Sequence, residues 1–155
     1  MQEKFMKEAI RLALEGMRAG KGGPFGAVVV KGGEIIGKGS NSVLQTNDPT
    51  AHAEVVAIRD ACSKLGTFQL EGCELYTSCE PCPMCLGAIY WARPFGVYFA
   101  CSRQDAASIG FDDEFIYEEI ERPVGERQIP ATQLLRDEAY TAFKEWDDKG
   151  DKQLY

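Results

Sequence analysis

The chain of 155 residues has no apolar run close to the roughly 20 residues that a membrane-spanning helix needs, which excludes an integral membrane protein. Its first residues carry mixed charges without an apolar stretch, so no secretion signal is predicted. It has no block of Lys or Arg, and this absence argues against a nucleic-acid partner because phosphates need a basic footprint. With 45% apolar and 26% charged residues, the composition predicts one globular domain over residues 1–155.

The net charge of −7 is unevenly distributed along the chain. Residues 1–111 carry 11 acidic and 11 basic side chains, whereas residues 112–155 carry 13 acidic and 6 basic ones. The acidic excess therefore belongs to the C-terminal quarter. We expect a small neutral ligand rather than a phosphate-rich polymer.

Six cysteines in a chain without a predicted secretion signal indicate a reducing compartment, and we expect the cytoplasm. Clustered thiols in such a compartment bind metal or stay free more often than they form disulfides. Cys62, Cys73 and Cys101 are isolated in the sequence, and we expect them to be small buried apolar side chains.

The apolar pattern predicts helices and strands in the order α-β-β-α-β-α-β, and therefore a mixed sheet with helices on its faces. A first helix ends near Gly20, and its predicted apolar stripe comprises Met6, Ile10, Ala13, Leu14 and Met17. Strands at 26–31 and 34–39 form a predicted hairpin around Gly32-Gly33. The remaining elements are a helix at about 52–65, a strand at 73–78, a helix at about 82–93 and a strand at 96–101.

The pattern weakens after Ser102. Residues 121–130 are rich in proline and charge, which is typical of a linker. A final helical stripe follows, with an apolar face that must dock on something, and it comprises Leu135, Ala139, Ala142, Phe143 and Trp146.

Two short motifs together indicate a zinc site. His52-Ala-Glu54 begins one predicted helix, and Pro81-Cys82-Pro-Met-Cys85 begins the next one. Imidazole and thiolates are the ligands that zinc prefers, and two cysteines at a helix start can reach one ion. The pattern His-x-Glu followed by Pro-Cys-x-x-Cys is the signature of zinc-dependent nucleobase deaminases. We therefore expect one Zn²⁺ per chain on His52, Cys82 and Cys85.

Each part of the pattern also has an ordinary interpretation. A lone histidine is more often structural, a glutamate at a helix start is unremarkable, and a Cys-x-x-Cys pair also suits redox chemistry or structural zinc. A closed site that includes Cys79 is conceivable on spacing alone, and the chain would then be a zinc-stabilised module without catalysis. Such a site would leave Glu54 without a role.

Three protein ligands leave a fourth position for water, as catalytic zinc requires. Zinc lowers the pKa of bound water from 15.7 to about 7, so a zinc-bound water supplies hydroxide at neutral pH. Glu54 lies two residues from His52 and would carry protons from this water to a ring nitrogen and the leaving amine. The predicted reaction is hydrolytic deamination.

Three segments are similar to the cytidine-deaminase superfamily, and more closely to its bacterial guanine deaminases. They are residues 22–28, residues 47–55 and residues 76–93, and the subfamily resemblance also uses Gly110-Phe-Asp-Asp113 and the terminal Tyr155. This resemblance runs nearly end to end. It implies a three-layer α/β/α sandwich with a mixed central sheet, and deamination of guanine to xanthine in purine catabolism.

The resemblance also implies a substrate pocket. Asn41 would hydrogen-bond the base, Phe25 would pack on its ring and Ala53 would contact it. Trp91 would wall the pocket, and Asp113 would accept hydrogen bonds from the purine edge. The residues alone leave other roles open. Asn41 lies where a turn residue is expected, Trp91 on a helix would ordinarily belong to the core, and Asp113 would ordinarily be a solvated charge.

The C-terminal segment has a distinct role in this resemblance. A homodimer is implied in which about residues 121–155 cross to the partner subunit, where Tyr155 helps to close the active site. Terminal residues are more often disordered and dispensable. Glu80 is a candidate second proton carrier, and it could equally brace the metal loop.

Several substrates share this zinc chemistry, so rival functions stay open at this point. A tRNA adenosine deaminase would need a basic surface, which the net charge of −7 argues against. A deaminase of cytosine or of a pyrimidine nucleoside, of another purine, or of a triazine resembling guanine would use the same metal site.

Overall fold

A computed structural model describes residues 2–155 of the chain. Its strands are β1 (Gly26–Lys31), β2 (Glu34–Ser40), β3 (Cys73–Cys79) and β4 (Gly96–Cys101). Its α-helices are α1 (Gln2–Arg18), α2 (Val43–Thr46), α3 (Ala53–Leu65), α4 (Pro83–Ala92), α5 (Arg103–Ser108), α6 (Glu114–Glu121) and α7 (Arg136–Asp148). A 3₁₀ turn covers Val124–Glu126. Within residues 2–155 no helix is both long and apolar enough to cross a membrane.

The four strands form one mixed sheet in the order β2-β1-β3-β4. β1 pairs antiparallel with both β2 and β3, whereas β3 and β4 are parallel. Gly32 and Gly33 have φ values of 58° and 84°, which suit the tight turn between β1 and β2 because glycine adopts positive φ without strain. The predicted hairpin and mixed sheet are confirmed.

Helices cover both faces of this sheet because side chains along its central strands alternate between two apolar clusters. Val28, Val30 and Tyr76 pack with Phe5 of α1 on one face. Leu75 and other buried residues of the opposite face pack with α3 and α4. The predicted three-layer α/β/α sandwich is therefore confirmed.

The buried face of α1 differs from the prediction. Its buried residues are Phe5, Ala9, Ala13 and Gly16, whereas the predicted core residues Ile10, Leu14 and Met17 are about 40% exposed. The reason is a close approach of this helix to β1, where a Cβ on Gly26 would collide with the Ala9 carbonyl oxygen. Only small side chains fit where the helix passes Gly26, so Ala9 and Ala13 face the sheet there while Ile10 and Leu14 face outward. The expectation for Cys101 was also wrong, because this residue is exposed at the end of β4.

Residues through Asp113 form one compact unit, and Glu114–Tyr155 form a second. The second unit contains α6, the 3₁₀ turn and α7, and none of its residues is fully buried. The apolar face predicted for the last helix is exposed, with Phe143 at 70% and Trp146 at 42%. The periodicity did not predict α2, α5 or α6, which are short. That residues 1–155 act as one deaminase domain stays a prediction.

Candidate active site

Three side chains meet where α3 and α4 begin. His52 is the residue before α3, Cys82 is the residue before α4, and Cys85 lies in the first turn of α4. The Nδ1 atom of His52 is 3.5 Å from the sulfur of Cys82 and 3.5 Å from that of Cys85. All three candidate ligand atoms lie within 4.8 Å of one another.

These distances fit a tetrahedral zinc ion. Zinc–nitrogen and zinc–sulfur bonds of usual length place a ligand nitrogen about 3.6 Å from a ligand sulfur. The pKa of the Cys82 thiol lies below its ordinary value because the Cys85 and His52 side chains hydrogen-bond to its sulfur. Its position at a helix N-terminus also favours the thiolate, which is the form that binds metal. The donor set therefore matches zinc in both chemistry and spacing.

Cys79 does not belong to this cluster. Its thiol donates to the Ser102 carbonyl oxygen at 3.5 Å, and burial raises its pKa to about 11. Among the described residues, the one group of three or more metal-type side chains comprises His52, Cys82 and Cys85. The closed four-ligand site is therefore not the arrangement found among these residues, and the cluster offers three protein ligands.

Glu54 lies beside the cluster in the first turn of α3 and is only 6% exposed. Its Oε2 atom is 3.4 Å from the sulfur of Cys85, and its Oε1 atom accepts a hydrogen bond of 3.1 Å from the Thr77 hydroxyl. Burial raises the pKa of this carboxyl group above its ordinary value. A buried carboxyl group beside a metal-type cluster is placed to take up and release a proton, as general acid–base catalysis requires.

A hydrogen bond between backbone atoms connects Asn41 and Phe25 at the end of the hairpin. The Asn41 amide donates to the Phe25 carbonyl oxygen at 2.9 Å, and the Asn41 side chain is buried. Its Oδ1 accepts a hydrogen bond of 3.2 Å from the Val43 amide, so the turn role left open by the sequence is present. Gly22 lies so close to the Asn41 carboxamide that any side chain there would collide with it.

Asp113 is half-buried on the same unit as the metal cluster. Burial raises the pKa of its carboxyl group, and the nearby negative charge of Cys82 raises it further. The structure thus brings Asp113 within electrostatic reach of the cluster. It is not the fully solvated charge that its acidic neighbours suggest.

Phe111 was missed as a site residue by sequence reasoning. Its ring contacts that of Phe25 edge to face, with centroids 5.0 Å apart and planes at 90°. A side chain on Gly23 would collide with both rings. An aromatic residue two positions before Asp113 was the available signal, but nothing in the sequence joins residues 25 and 111.

The other predicted residues are placed as follows. Trp91 is 63% exposed on α4, and Ala53 is fully buried in the core. The Glu80 carboxylate accepts a hydrogen bond of 3.1 Å from the Arg103 backbone amide, and its two candidate roles stay predictions. Tyr155 is exposed in the second unit. Its contact with substrate stays a prediction.

A comparison with protein families gives the class. Residues 1–101 match the family described as the cytidine and deoxycytidylate deaminase zinc-binding region. A mixed α/β sheet with a His/Cys/Cys cluster and an adjacent glutamate is the arrangement of zinc-dependent deaminases. The fold and the site therefore define a protein of this class.

Individual relatives narrow the assignment. The guanine deaminase of Bacillus subtilis (strain 168) is 58% identical over 153 residues, which cover 99% of this chain and 98% of the relative. A tRNA-specific adenosine deaminase of Aquifex aeolicus (strain VF5) is 50% identical over 99 residues, which cover 64% of this chain and 65% of the relative. The first similarity thus includes the C-terminal third, whereas the second covers about two thirds of each chain.

Solved structures agree with these sequence relationships. A structure of guanine deaminase from Bacillus subtilis has a TM-score of 0.97 and 57% identity, and covers 100% of this chain and 99% of its own. A protein solved in complex with 2,6-diaminopurine has a TM-score of 0.68 and 34% identity, and covers 97% of this chain and 83% of its own. The chain belongs to the cytidine and deoxycytidylate deaminase family, and its resemblance to the bacterial guanine deaminases is confirmed.

Proposed function

We propose that this protein hydrolyses guanine to xanthine and ammonia. The observation that carries this proposal is the similarity to a guanine deaminase over 99% of the chain. The zinc-type cluster beside a buried glutamate supplies the chemistry that this reaction needs. A solved relative that binds 2,6-diaminopurine supports a purine with an amino group as the substrate.

His52, Cys82 and Cys85 would hold the zinc ion in this proposal, one ion per chain. Bound zinc supplies the Lewis acidity that activates a water molecule at neutral pH. Glu54 would take one proton from that water and deliver it to the purine ring nitrogen, and would then take the second proton from the hydroxyl group added to the carbon and deliver it to the leaving amino group. The purine carbon that carries the amino group thereby exchanges its bond to the amino nitrogen for a bond to oxygen, and ammonia is released.

Selection of the base is assigned to the side chains near the cluster. Asp113 would accept hydrogen bonds from the N–H groups of the guanine edge, and Asn41 would hydrogen-bond the base from the end of the hairpin. Phe25, held edge to face by Phe111, would pack against the purine ring. Ala53 would contact the base, and Trp91 would wall the pocket. Glu80 is assigned the bracing of the metal loop.

A homodimer that exchanges about residues 121–155 accounts for the exposed C-terminal unit. None of residues 114–155 is fully buried, although several of their apolar side chains repeat at helical spacing. Such a face needs a partner surface, and a second copy of the chain can supply one by symmetry. Tyr155 would then close the active site of the partner subunit.

The cellular setting follows from the chemistry. The thiols of Cys82 and Cys85 must stay reduced to bind zinc, which suits a reducing compartment such as the cytoplasm. The reaction removes an amino group from a free base, so we assign it to purine catabolism.

The proposal is tested by ammonia release from the purified protein. Guanine, adenine, cytosine, cytidine and an adenosine-containing tRNA hairpin are offered separately, with Glu54→Ala as the blank. We expect turnover of guanine alone. Turnover of the hairpin instead would overturn the proposal in favour of a tRNA adenosine deaminase and would require a basic groove. If zinc is bound but no ammonia is released from any of these substrates, the result would favour a structural zinc site.

A further inference from the structure

Thr77 places a hydroxyl group at a fully buried position of β3. It lies in β3 between the paired residues Ala27 of β1 and Phe99 of β4, and it is fully buried. Cys73 and Leu75, which precede it on the same face of this strand, belong to the apolar cluster under α3 and α4. The hydroxyl group therefore needs a specific partner, because burying it without one would cost free energy.

That partner is the carboxylate of Glu54 rather than the backbone. The Thr77 hydroxyl donates to Oε1 of Glu54 at 3.1 Å. The other oxygen, Oε2, faces the metal cluster at 3.4 Å from the sulfur of Cys85. The two oxygens of the carboxylate are thus in different environments, one held by the sheet and one directed at the cluster.

We propose that Thr77 is a positioning residue for Glu54, which holds Oε1 so that Oε2 alone handles the proton in catalysis. This inference rests on the proposed function only in requiring that Glu54 transfers the proton. Glutamate has several side-chain torsions, and proton transfer requires a donor–acceptor distance within hydrogen-bond range. A single donor on a buried strand restricts this freedom without touching the substrate.

The chain permits a matched set of variants. Thr77→Val keeps the branched shape and removes the hydroxyl group, whereas Thr77→Ser keeps the hydroxyl group and removes a methyl group. Thr67→Val makes the same chemical change at an exposed loop residue whose hydroxyl accepts from the Gln69 amide. Zinc content by metal analysis and the midpoint of thermal unfolding are measured for each variant beside kcat and KM.

We expect Thr77→Val to lower kcat by about 10- to 100-fold, because a misplaced catalytic group costs rate rather than binding. The KM should stay within about twofold and the zinc content should be unchanged. Thr77→Ser should recover most of kcat, and Thr67→Val should match the wild type. Wild-type kcat in Thr77→Val, loss of zinc in parallel with activity, or no recovery with Thr77→Ser would each overturn the inference.

A double-variant cycle tests whether Thr77 acts through Glu54. In a Glu54→Gln background, adding Thr77→Val should leave the residual kcat unchanged, because the positioned proton carrier is already absent. An equal further loss in that background would show an independent structural role. If the wild type deaminates a base other than guanine, the proposed function fails and the same cycle is run on that base. The inference about Thr77 is then tested separately.

Discussion

At the scale of single residues, Glu54 is buried beside the cluster of His52, Cys82 and Cys85 but does not belong to that cluster. Two of its neighbours, Thr77 and Cys85, contact different oxygens of its carboxylate. A carboxylate in this position can carry a proton, and removing it should not remove the metal. In a catalytic zinc site, different residues bind the metal and transfer the proton, whereas a structural zinc site needs only the metal ligands.

Glu54→Ala is therefore expected to keep about one zinc per chain and to lower kcat by about 100- to 10,000-fold, because general acid–base catalysis contributes that much. Metal analysis and steady-state kinetics check both parts of this prediction. Cys101→Ser is the control, because this exposed thiol lies outside the cluster and should keep zinc and activity. Undiminished turnover in Glu54→Ala would remove Glu54 from the mechanism.

At the scale of elements, α3 is held on the sheet by direct contact with the backbone of β2. A Cβ on Gly39 would collide with the Ala53 carbonyl oxygen, and one on Gly37 would meet the backbone of Ala57. Because α3 begins directly after His52, this packing also sets the position of the metal ligand. The small residues of β2 thus link the sheet to the site.

Gly39→Ala should push α3 away from β2 and lower the free energy of unfolding by about 1–3 kcal/mol, as overpacking a core does. The zinc affinity should fall with it, since His52 moves with the helix. Chemical denaturation and a zinc competition assay measure the two effects. Gly150→Ala is the matched control, because nothing lies within 4 Å of its added Cβ. Wild-type stability in Gly39→Ala would contradict the close packing.

The contact between α1 and β2 makes a pH-dependent contribution to stability. The Glu8 carboxylate accepts hydrogen bonds from Arg11 at 2.7 Å and from Lys38 of β2 at 2.6 Å. These partners, Arg11 first, lower the pKa of Glu8 from 4.5 to about 2. A lowered pKa stabilises the fold above the ordinary value of 4.5, and the contribution is lost as the pH falls towards 2.

Glu8→Gln should lower the free energy of unfolding by about 1 kcal/mol at pH 7, a modest effect because Arg11 and Lys38 are half-exposed and screened by solvent. The difference from the wild type should shrink as the pH falls from 4.5 towards 2, because the Glu8 carboxylate becomes protonated over this range. Denaturation at several pH values measures this trend. Glu3→Gln, at an exposed residue of the same helix, should show no such trend. A difference that persists at pH 2 would contradict the ion-pair origin.

At the scale of the whole molecule, residues 114–155 form a unit that buries none of its residues completely. Their exchange between subunits would give these apolar side chains a partner and would make the active site a product of two chains. The Bacillus subtilis relative matches this segment as well as the zinc region, since the similarity covers 99% of the chain. The terminal residues should therefore matter for activity more than for folding.

Deletion of residues 153–155 should lower kcat at least about tenfold, because a site left open to water loses catalytic efficiency, while the unfolding midpoint stays near that of the wild type. Exchange is tested by co-refolding this truncated chain with Glu54→Ala. Random mixing should restore about a quarter of the wild-type activity, because half of the dimers then contain one complete site. Each variant refolded alone is the control, and no restoration would contradict exchange.

The sequence predicted the site and the fold to different extents. Seven main elements and the hairpin were correct, and His52, Cys82 and Cys85 lie together as predicted, because these features depend on local periodicity and spacing. The predicted buried face of α1 was correct for Ala13 but wrong for Ile10 and Leu14, since the close approach of this helix to Gly26 favours small residues there. The periodicity of the sequence shows which residues are apolar, but it does not show how closely the helix approaches the sheet.

The sequence alone determined where the metal-type cluster and Glu54 are placed, because His52, Glu54 and the two cysteines each lie at a helix start set by short-range signals. Tertiary structure decided which other side chains meet across the fold. Thr77 reaches Glu54 across 23 positions of the chain, and Phe111 reaches Phe25 from a distant loop. Such contacts depend on how the sheet and helices pack. No local sequence pattern encodes which residues far apart in the chain lie close together in space.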